Sequence, residues 1–160
     1  MTINIQSPCP CGRTLTYAQC CQPFHLKFNT ANDVETLMRS RYCAFVLQHH
    51  QYLIDTHHPD YLNGLTVELL AQGADDTEWL GLDVEESQHD LVEGTVAFKA
   101  WYINNNDIDA IYECSQFQKL NGMWYYTEGE QRAAELPKRN DKCVCYSGKK
   151  FEACCMRKIV

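Results

Sequence analysis

Eight of the ten cysteines in this 160-residue chain fall into two copies of one spacing. Cys9, Cys11, Cys20 and Cys21 follow the pattern C-x-C-x8-C-C, and Cys143, Cys145, Cys154 and Cys155 repeat it. Each copy also carries an aromatic residue three positions before its closing pair, Tyr17 and Phe151. The chemistry this suits is tetrahedral zinc. Four thiolates at ~2.3 Å complete the coordination sphere and leave no place for water, which makes a structural site and not a hydrolytic one. A C-x-C pair supplies two ligands from one tight turn, and eight residues suffice to loop back with the other two. The aromatic is placed to cover one side of the ion. Four thiolates against a dication leave net negative charge, which Lys149, Lys150 and Arg157 surround in the second copy; only Arg13 lies within the first. Such binding contributes on the order of 10 kcal/mol to folding an element too short for a core of its own.

Two other uses of these sulfurs remain open at this point. Adjacent cysteines pair with each other only under strain, so disulfides would run between the copies or across each loop. The vicinal pairs could also serve in transient thiol exchange. His25, just after the first copy, is a further nitrogen ligand by type, but four sulfurs already complete that set.

The elements that must hold these loops lie between them. The pattern divides the chain into 1–28, 29–136 and 137–160. Residues 1–28 hold Arg13 and Lys27 and no acid, residues 137–160 hold seven bases and two acids, and the middle carries five bases against 19 acids, within a net charge of -7. A middle this acidic repels phosphate backbones and argues against broad nucleic-acid binding there. The composition is that of an ordinary folded domain, 45% hydrophobic and 22% charged. The longest clean apolar run, Tyr42 to Leu47, is far short of the ~18 residues a membrane helix needs. Residues 1–7 carry neither base nor apolar block, so no secretory signal is expected. The expected location is the cytoplasm, where a reducing environment favours metal over disulfides.

Within 29–136, Asn32 with Glu35 three residues on reads as a helix start. Val34, Leu37, Met38, Arg41, Tyr42, Phe45 and Val46 recur at helical spacing, the pattern falters at His49-His50, and Pro59 requires an end by His58. A shorter helix is expected from Thr66 to Gln72, stopped by Gly73. From Glu78 the period becomes two. Leu80, Leu82 and Val84 share one face, then Val96, Phe98, Ala100 and Tyr102. A turn at Asn104–Asp107 precedes a strand over Ile108–Phe117, and Asn121-Gly122 is a hairpin signal leading to Trp124 and Tyr126. Glu128 to Lys142 reads as a charged linker. The fold class is α+β, with helices packed on a curved four-stranded antiparallel sheet.

The stretch Cys145-Tyr146-Ser147-Gly148-Lys149-Lys150-Phe151, closing on Cys154-Cys155, resembles the SEC-C motif, C-P-C-G-S-G-K-K-[FY]-x-x-C-[CH]. That zinc knuckle is best known from the tail of SecA translocation ATPases, where it contacts the SecB chaperone. Two copies flanking a domain that contains Arg39-Ser40-Arg41-Tyr42-Cys43-Ala44-Phe45 and Thr77-Glu78-Trp79-Leu80-Gly81-Leu82 resemble the YchJ family. The resemblance implies a nuclear-transport-factor-2-like cone between two zinc knuckles, and no characterised activity. The chain departs from the motif at Arg13-Thr14 in the first copy and at Val144 and Tyr146 in the second.

Candidates for chemistry inside the cone are Asp55, His57, His58 and Glu113, with Trp79, Trp101 and Trp124 near them. An Asp-x-His pair works as general acid–base machinery if the carboxylate orients the imidazole. A His-His-Pro at a helix end is more often a cap or solvated, so no catalytic residue is assigned and the chain is not expected to be an enzyme. Arg39 and Arg41 are expected in ion pairs with the surrounding acids, and Cys43 and Cys114 as inert thiols. The leading expectation is a protein-interaction adaptor using two structural Zn2+ knuckles, with a bearing on secretion or protein quality control. The alternative is a small-molecule-binding protein or enzyme that uses the cone, with the knuckles as staples.

Overall fold

A computed structural model describes residues 2–159. Helix α1 spans Gln22–His25, α2 Val34–Leu47, α3 His50–Asp55 and α4 Val67–Ala71. Four strands follow, β1 Glu78–His89, β2 Glu93–Asn104, β3 Asp107–Leu120 and β4 Met123–Arg132, paired antiparallel in the order β1-β2-β3-β4. Among the described residues no helix is long and apolar enough to cross a membrane.

Helix α2 starts one residue later than the capping pattern suggests. Asp33, not Asn32, is the N-cap, and its carboxylate accepts the Thr36 N–H at 2.7 Å. A carboxylate there also complements the helix dipole. Glu35 is left to pair with Arg39 at 2.9 Å along the helix. The faltering at His49-His50 is a corner: Gln48 takes a left-handed φ of 59° and α3 leaves in a new direction. Thr66 caps α4, and Gly73 beyond it has φ 72°.

The β2–β3 and β3–β4 hairpins turn on Asn105-Asn106 and Asn121-Gly122, all four with positive φ as two-residue hairpin turns demand. Val34, Leu37, Met38 and Tyr42 of α2 pack on Leu82, Val96, Phe98, Ala100, Phe117 and Trp124, which forms the main core. Leu80 does not share the face of Leu82 and Val84. The register shifts between Trp79 and Gly81, so Leu80 is the extra residue of a bulge and points to the other side of the sheet, while Trp79 joins the core. Strand β4 also runs on to Arg132, pairing Glu130, Gln131 and Arg132 with Cys114, Glu113 and Tyr112, so the first part of the expected linker is ladder.

Candidate metal centres and a central cavity

The two cysteine repeats fold alike, residue for residue. Pro8 bridges Thr16 as Lys142 bridges Lys150. The Cys9 N–H donates to Leu15 O at 2.9 Å, and the Cys143 N–H to Lys149 O at 2.9 Å. Single 3-10 turns, Tyr17–Gln19 and Phe151–Ala153, carry each chain into its closing pair. At the residue after the C-x-C pair the backbone is left-handed in both, Gly12 at φ 86° and Tyr146 at φ 59°. Tyr17 and Phe151 are buried beside the sulfurs, as the spacing predicts.

In each knuckle all four Sγ atoms lie within 4.8 Å of one another. Cys11 and Cys20 are 3.5 Å apart and Cys20 and Cys21 3.9 Å; Cys145 is 3.5 Å from both Cys143 and Cys154. A tetrahedron with ~2.3 Å metal–sulfur bonds has edges of roughly 3.8 Å, whereas bonded sulfurs sit ~2.05 Å apart. The clusters thus have ligand spacing, and the residues fit a four-coordinate metal in both places. Burial pushes the Cys145 thiol up, but donors from Ser147, Cys154 and Cys143 outweigh it and hold it at about 6. Hydrogen bonds from Cys11, Cys21 and Cys43 hold Cys9 far below the ordinary thiol range. In the same clusters, hydrogen bonds from neighbouring sulfurs and burial hold Cys11, Cys21 and Cys155 above the ordinary thiol range, so the protons are shared unevenly among the sulfurs.

His25 is no ligand: Nδ1 meets the Tyr17 hydroxyl at 2.8 Å and Nε2 the Ser40 carbonyl at 2.8 Å. Cys43, expected to be an inert buried thiol, is buried on α2 with its sulfur 3.9 Å from that of Cys9. Cys114 lies on β3 outside both clusters.

The knuckles dock in different places. The N-terminal one packs on α2 through Cys43, Val46 and Leu47, and Arg39 donates to Cys11 O at 2.6 Å. The C-terminal one covers Trp101 and Ile108, on the side of the sheet away from α2, with Leu80 reaching it through the bulge. Its approach is close enough that a Cβ on Gly81 would lie 2.0 Å from Val144 O. Tyr146, the departure from the motif, reaches the edge strand: its hydroxyl donates to Leu82 O at 2.6 Å and contacts the Asp83 carboxylate. Holding a tyrosine left-handed costs about 1–2 kcal/mol, which this tether offsets. Tyr146→Phe is expected to lower stability by about 1 kcal/mol, a melting shift of roughly 2–4 °C, with metal content unchanged. Scanning calorimetry with metal analysis checks this, and loss of metal in the variant would count against a purely docking role.

Between α2, α3, the chain leading to α4 and the near face of the sheet lies a cavity of about 290 Å³. Its walls are mostly apolar, with Arg41, His57, Glu113, Ser115 and Tyr126 as polar members. Of the sequence candidates, His57, Glu113 and Trp79 line it. Asp55 does not orient His57; its carboxylate pairs with Lys27 at 2.9 Å and accepts from Gln51 at 2.8 Å, on the surface. His58 accepts the Asp60 N–H at 3.1 Å, Trp101 lies under the C-terminal knuckle, and Trp124 packs in the main core. His57 Nε2 donates to Tyr61 O, 3.1 Å away, and burial with Arg41 beside it lowers its pKa, which keeps it neutral. Arg39 makes its expected ion pair with Glu35; Arg41 makes none among the described residues and lines the cavity.

Comparison with known proteins agrees with this architecture. The model of the YchJ middle domain, nuclear-transport-factor-2-like, matches residues 33–129, and the SEC-C motif matches 7–23 and 139–157. The chain belongs to the YchJ family. A UPF0225 protein of Shewanella sp. strain MR-4 is 54% identical over 158 residues, covering 93% of this chain and 96% of that one. The UPF0225 protein of strain ANA-3 is likewise 54% identical, with the same coverage. Among solved structures, a SEC-C motif containing protein from Rhodopseudomonas palustris superposes with a TM-score of 0.73 at 32% identity, over 80% of this chain and 99% of that one. A SEC-C motif protein from Psychrobacter arcticus gives 0.69 at 30% identity, over 94% and 96%. In this YchJ-family chain the residues that periodicity does not reveal are Gly81, Ser115, Gln131 and the cavity role of Arg41. Gly81 carries one faint signal, a glycine inside a strand pattern, which marks a bulge or a close approach of another backbone.

Proposed function

We propose that this protein is a zinc-stabilised interaction module whose C-terminal knuckle engages an acidic segment of another protein. Zinc is the metal suited to four thiolates at tetrahedral spacing, being sulfur-tolerant and without redox chemistry of its own. The observation that carries the reading is the fixed cationic outer face of that knuckle. Lys142 and Lys150 oppose each other across its hairpin, and Lys149 is exposed beside them. Of the nearby acids, Glu152 is paired with Arg139 at 3.0 Å and Glu78 with Lys158, while Asp141 accepts the Lys138 N–H at 2.9 Å. Lys150 meets only the neutral Asn140 amide at 2.9 Å. Among the described residues Lys142 and Lys149 have no acidic partner within 4.0 Å. An acidic body behind a cationic patch orients an approaching acidic segment and repels nucleic acid. The bearing on secretion or protein quality control rests on the likeness of this knuckle to the SecA tail.

The test is affinity capture from extract by the full-length, metal-loaded protein, compared with a Lys142→Glu, Lys149→Glu, Lys150→Glu variant and with Glu113→Gln. The expected result is a defined set of proteins held by the wild type and by Glu113→Gln. The triple variant should lose them about tenfold or more, and rising salt should release them. Equal capture by the triple variant, with its two metal ions retained, would overturn the reading.

A further inference from the structure

Two polar groups of the central cavity have bonding to spare: His57, whose buried Nδ1 has no partner among the described residues, and Arg41. Arg41 is 8% exposed and its Nη1 donates to Leu53 O at 2.8 Å and to Thr56 Oγ1 at 2.6 Å. Its guanidinium carbon stands 4.7 Å over the Tyr126 ring. Nε and Nη2 have no protein acceptor among the described residues, and no carboxylate lies within 4.0 Å of the group. Burial draws the guanidinium down to about 10, so it is still a cation at neutral pH. A buried cation without a counter-ion is costly.

Glu113 favours the Arg41 cation through space but makes no ion pair with it, because its carboxylate oxygens are held by other donors. Ser115 Oγ donates to it at 2.6 Å, the Tyr126 hydroxyl at 3.0 Å, and the Gln131 side-chain amide from β4 as well. Burial and the neighbouring Glu113 push the Tyr126 phenol upward, so it remains the donor. The arrangement is built into the backbone: a Cβ on Gly129 would fall 2.0 Å from Glu113 Oε1, so the carboxylate occupies the space a side chain would fill. The wall therefore holds a hydrogen-bonded acid and a cation without a direct ion pair, with one tyrosine touching both. Around them the lining is apolar, with Met38, Leu53, Phe98 and Phe117 deep inside, and Phe45 and Leu70 more exposed toward the mouth.

We propose that the cavity binds a small organic monocarboxylate with an apolar body, its carboxylate paired with Nε and Nη2 of Arg41. The bidentate geometry of guanidinium and carboxylate matches the free edge formed by Nε and Nη2. A volume of about 290 Å³ admits a body the size of a substituted aromatic ring, on the scale of roughly ten water volumes. This site is independent of the basic face of the C-terminal knuckle, and either can fail without the other.

The test uses phenylacetate and 3-phenylpropionate, with the matching neutral amides, on the full-length metal-loaded protein. Protein-observed NMR titration reads the shifts at Arg41, Phe98, Ser115 and Tyr126. The acids should bind with saturable shifts confined to the cavity, and the amides roughly ten- to hundredfold more weakly. Arg41→Gln should abolish the preference for acid over amide. Because that variant removes a buried residue, Ala100→Leu serves beside it, filling the cavity from β2 and blocking both probes. The acid-to-amide ratio in the wild type requires no variant at all. Amides binding as well as acids, or no cavity shifts at 10 mM acid (a concentration on the order of the weakest useful affinity), would refute the assignment.

Discussion

Gly81→Ala is expected to lift the C-terminal knuckle off the sheet. The added methyl would sit 2.0 Å from Val144 O and 3.1 Å from Val144 C, both backbone atoms that no side-chain rotation can move away. The overlap must be relieved by retreat of the knuckle, and that retreat uncovers Trp101 and Ile108, which are 3% and 6% exposed. Overpacking of this kind costs about 3 kcal/mol, at the upper end of the usual range, a melting shift of roughly 6–12 °C for a chain of this length. The four cysteines of the knuckle are local to it, so the metal should stay. Calorimetry, tryptophan emission and limited proteolysis between Ala133 and Lys142 read the three consequences: a lower melting point, a red shift from a wetted Trp101, and a new cleavage. A variant that melts with the wild type and resists protease would show that the close approach is not what seats the knuckle.

Cys155→Ser is expected to remove one metal ion per chain and to unfold the C-terminal knuckle alone. Cys155 is fully buried at the centre of the cluster formed by Trp101, Ile108, Cys143, Val144 and Phe151. Serine is a poor ligand for a sulfur-selective site, and the remaining residues of the knuckle are too few to bury a core without the ion. Free energies near 10 kcal/mol bind zinc to isolated knuckle-sized peptides, far beyond what docking on Trp101 and Ile108 restores at about 1.5–3 kcal/mol per large side chain. Metal analysis should fall from two ions per chain to one. Amide exchange should become rapid across Lys138 to Ile159 while the ladders of β2 and β3 stay protected. Two ions per chain in this variant, or continued protection of the tail, would mean that the sulfur is not a ligand or that the knuckle folds without its metal.

The two predictions together separate what the knuckle needs to exist from what it needs to dock. Cys155 belongs to the first requirement and Gly81 to the second. Tyr146 stands between them: it occupies a left-handed position inside the knuckle, and its hydroxyl reaches out to β1.

The two cysteine clusters were legible in the amino-acid order because a short loop that gathers four sulfurs is a local object. Spacing along a short loop dictates which sulfurs meet, and the repeated C-x-C-x8-C-C became two knuckles with the same bridges and the same left-handed residue. Helix α2 and the four strands were legible for a related reason: periods of 3.6 and 2 follow from backbone geometry within each element. A bulge broke that reading at Leu80, since one inserted residue turns its side chain to the other face and Gly81 is the faint mark it leaves in the sequence. The cap at Asp33 over Asn32 was a choice between adjacent residues that only the local dihedrals resolve.

Everything that depends on two distant segments meeting was decided by the tertiary structure. Asp55 and His57 are near in sequence, yet Asp55 turns to Lys27 and His57 turns inward. Arg41 sits two residues from Arg39 on the same helix, yet one faces the first knuckle and the other a cavity closed by β3 and β4. The sequence by itself determined that four sulfurs would gather at each end of this protein, because four cysteines within a dozen or so residues need no help from afar. Which cation is left without a counter-ion, and where each knuckle rests, came only from packing, because those are properties of surfaces that do not exist until the sheet has curved around α2.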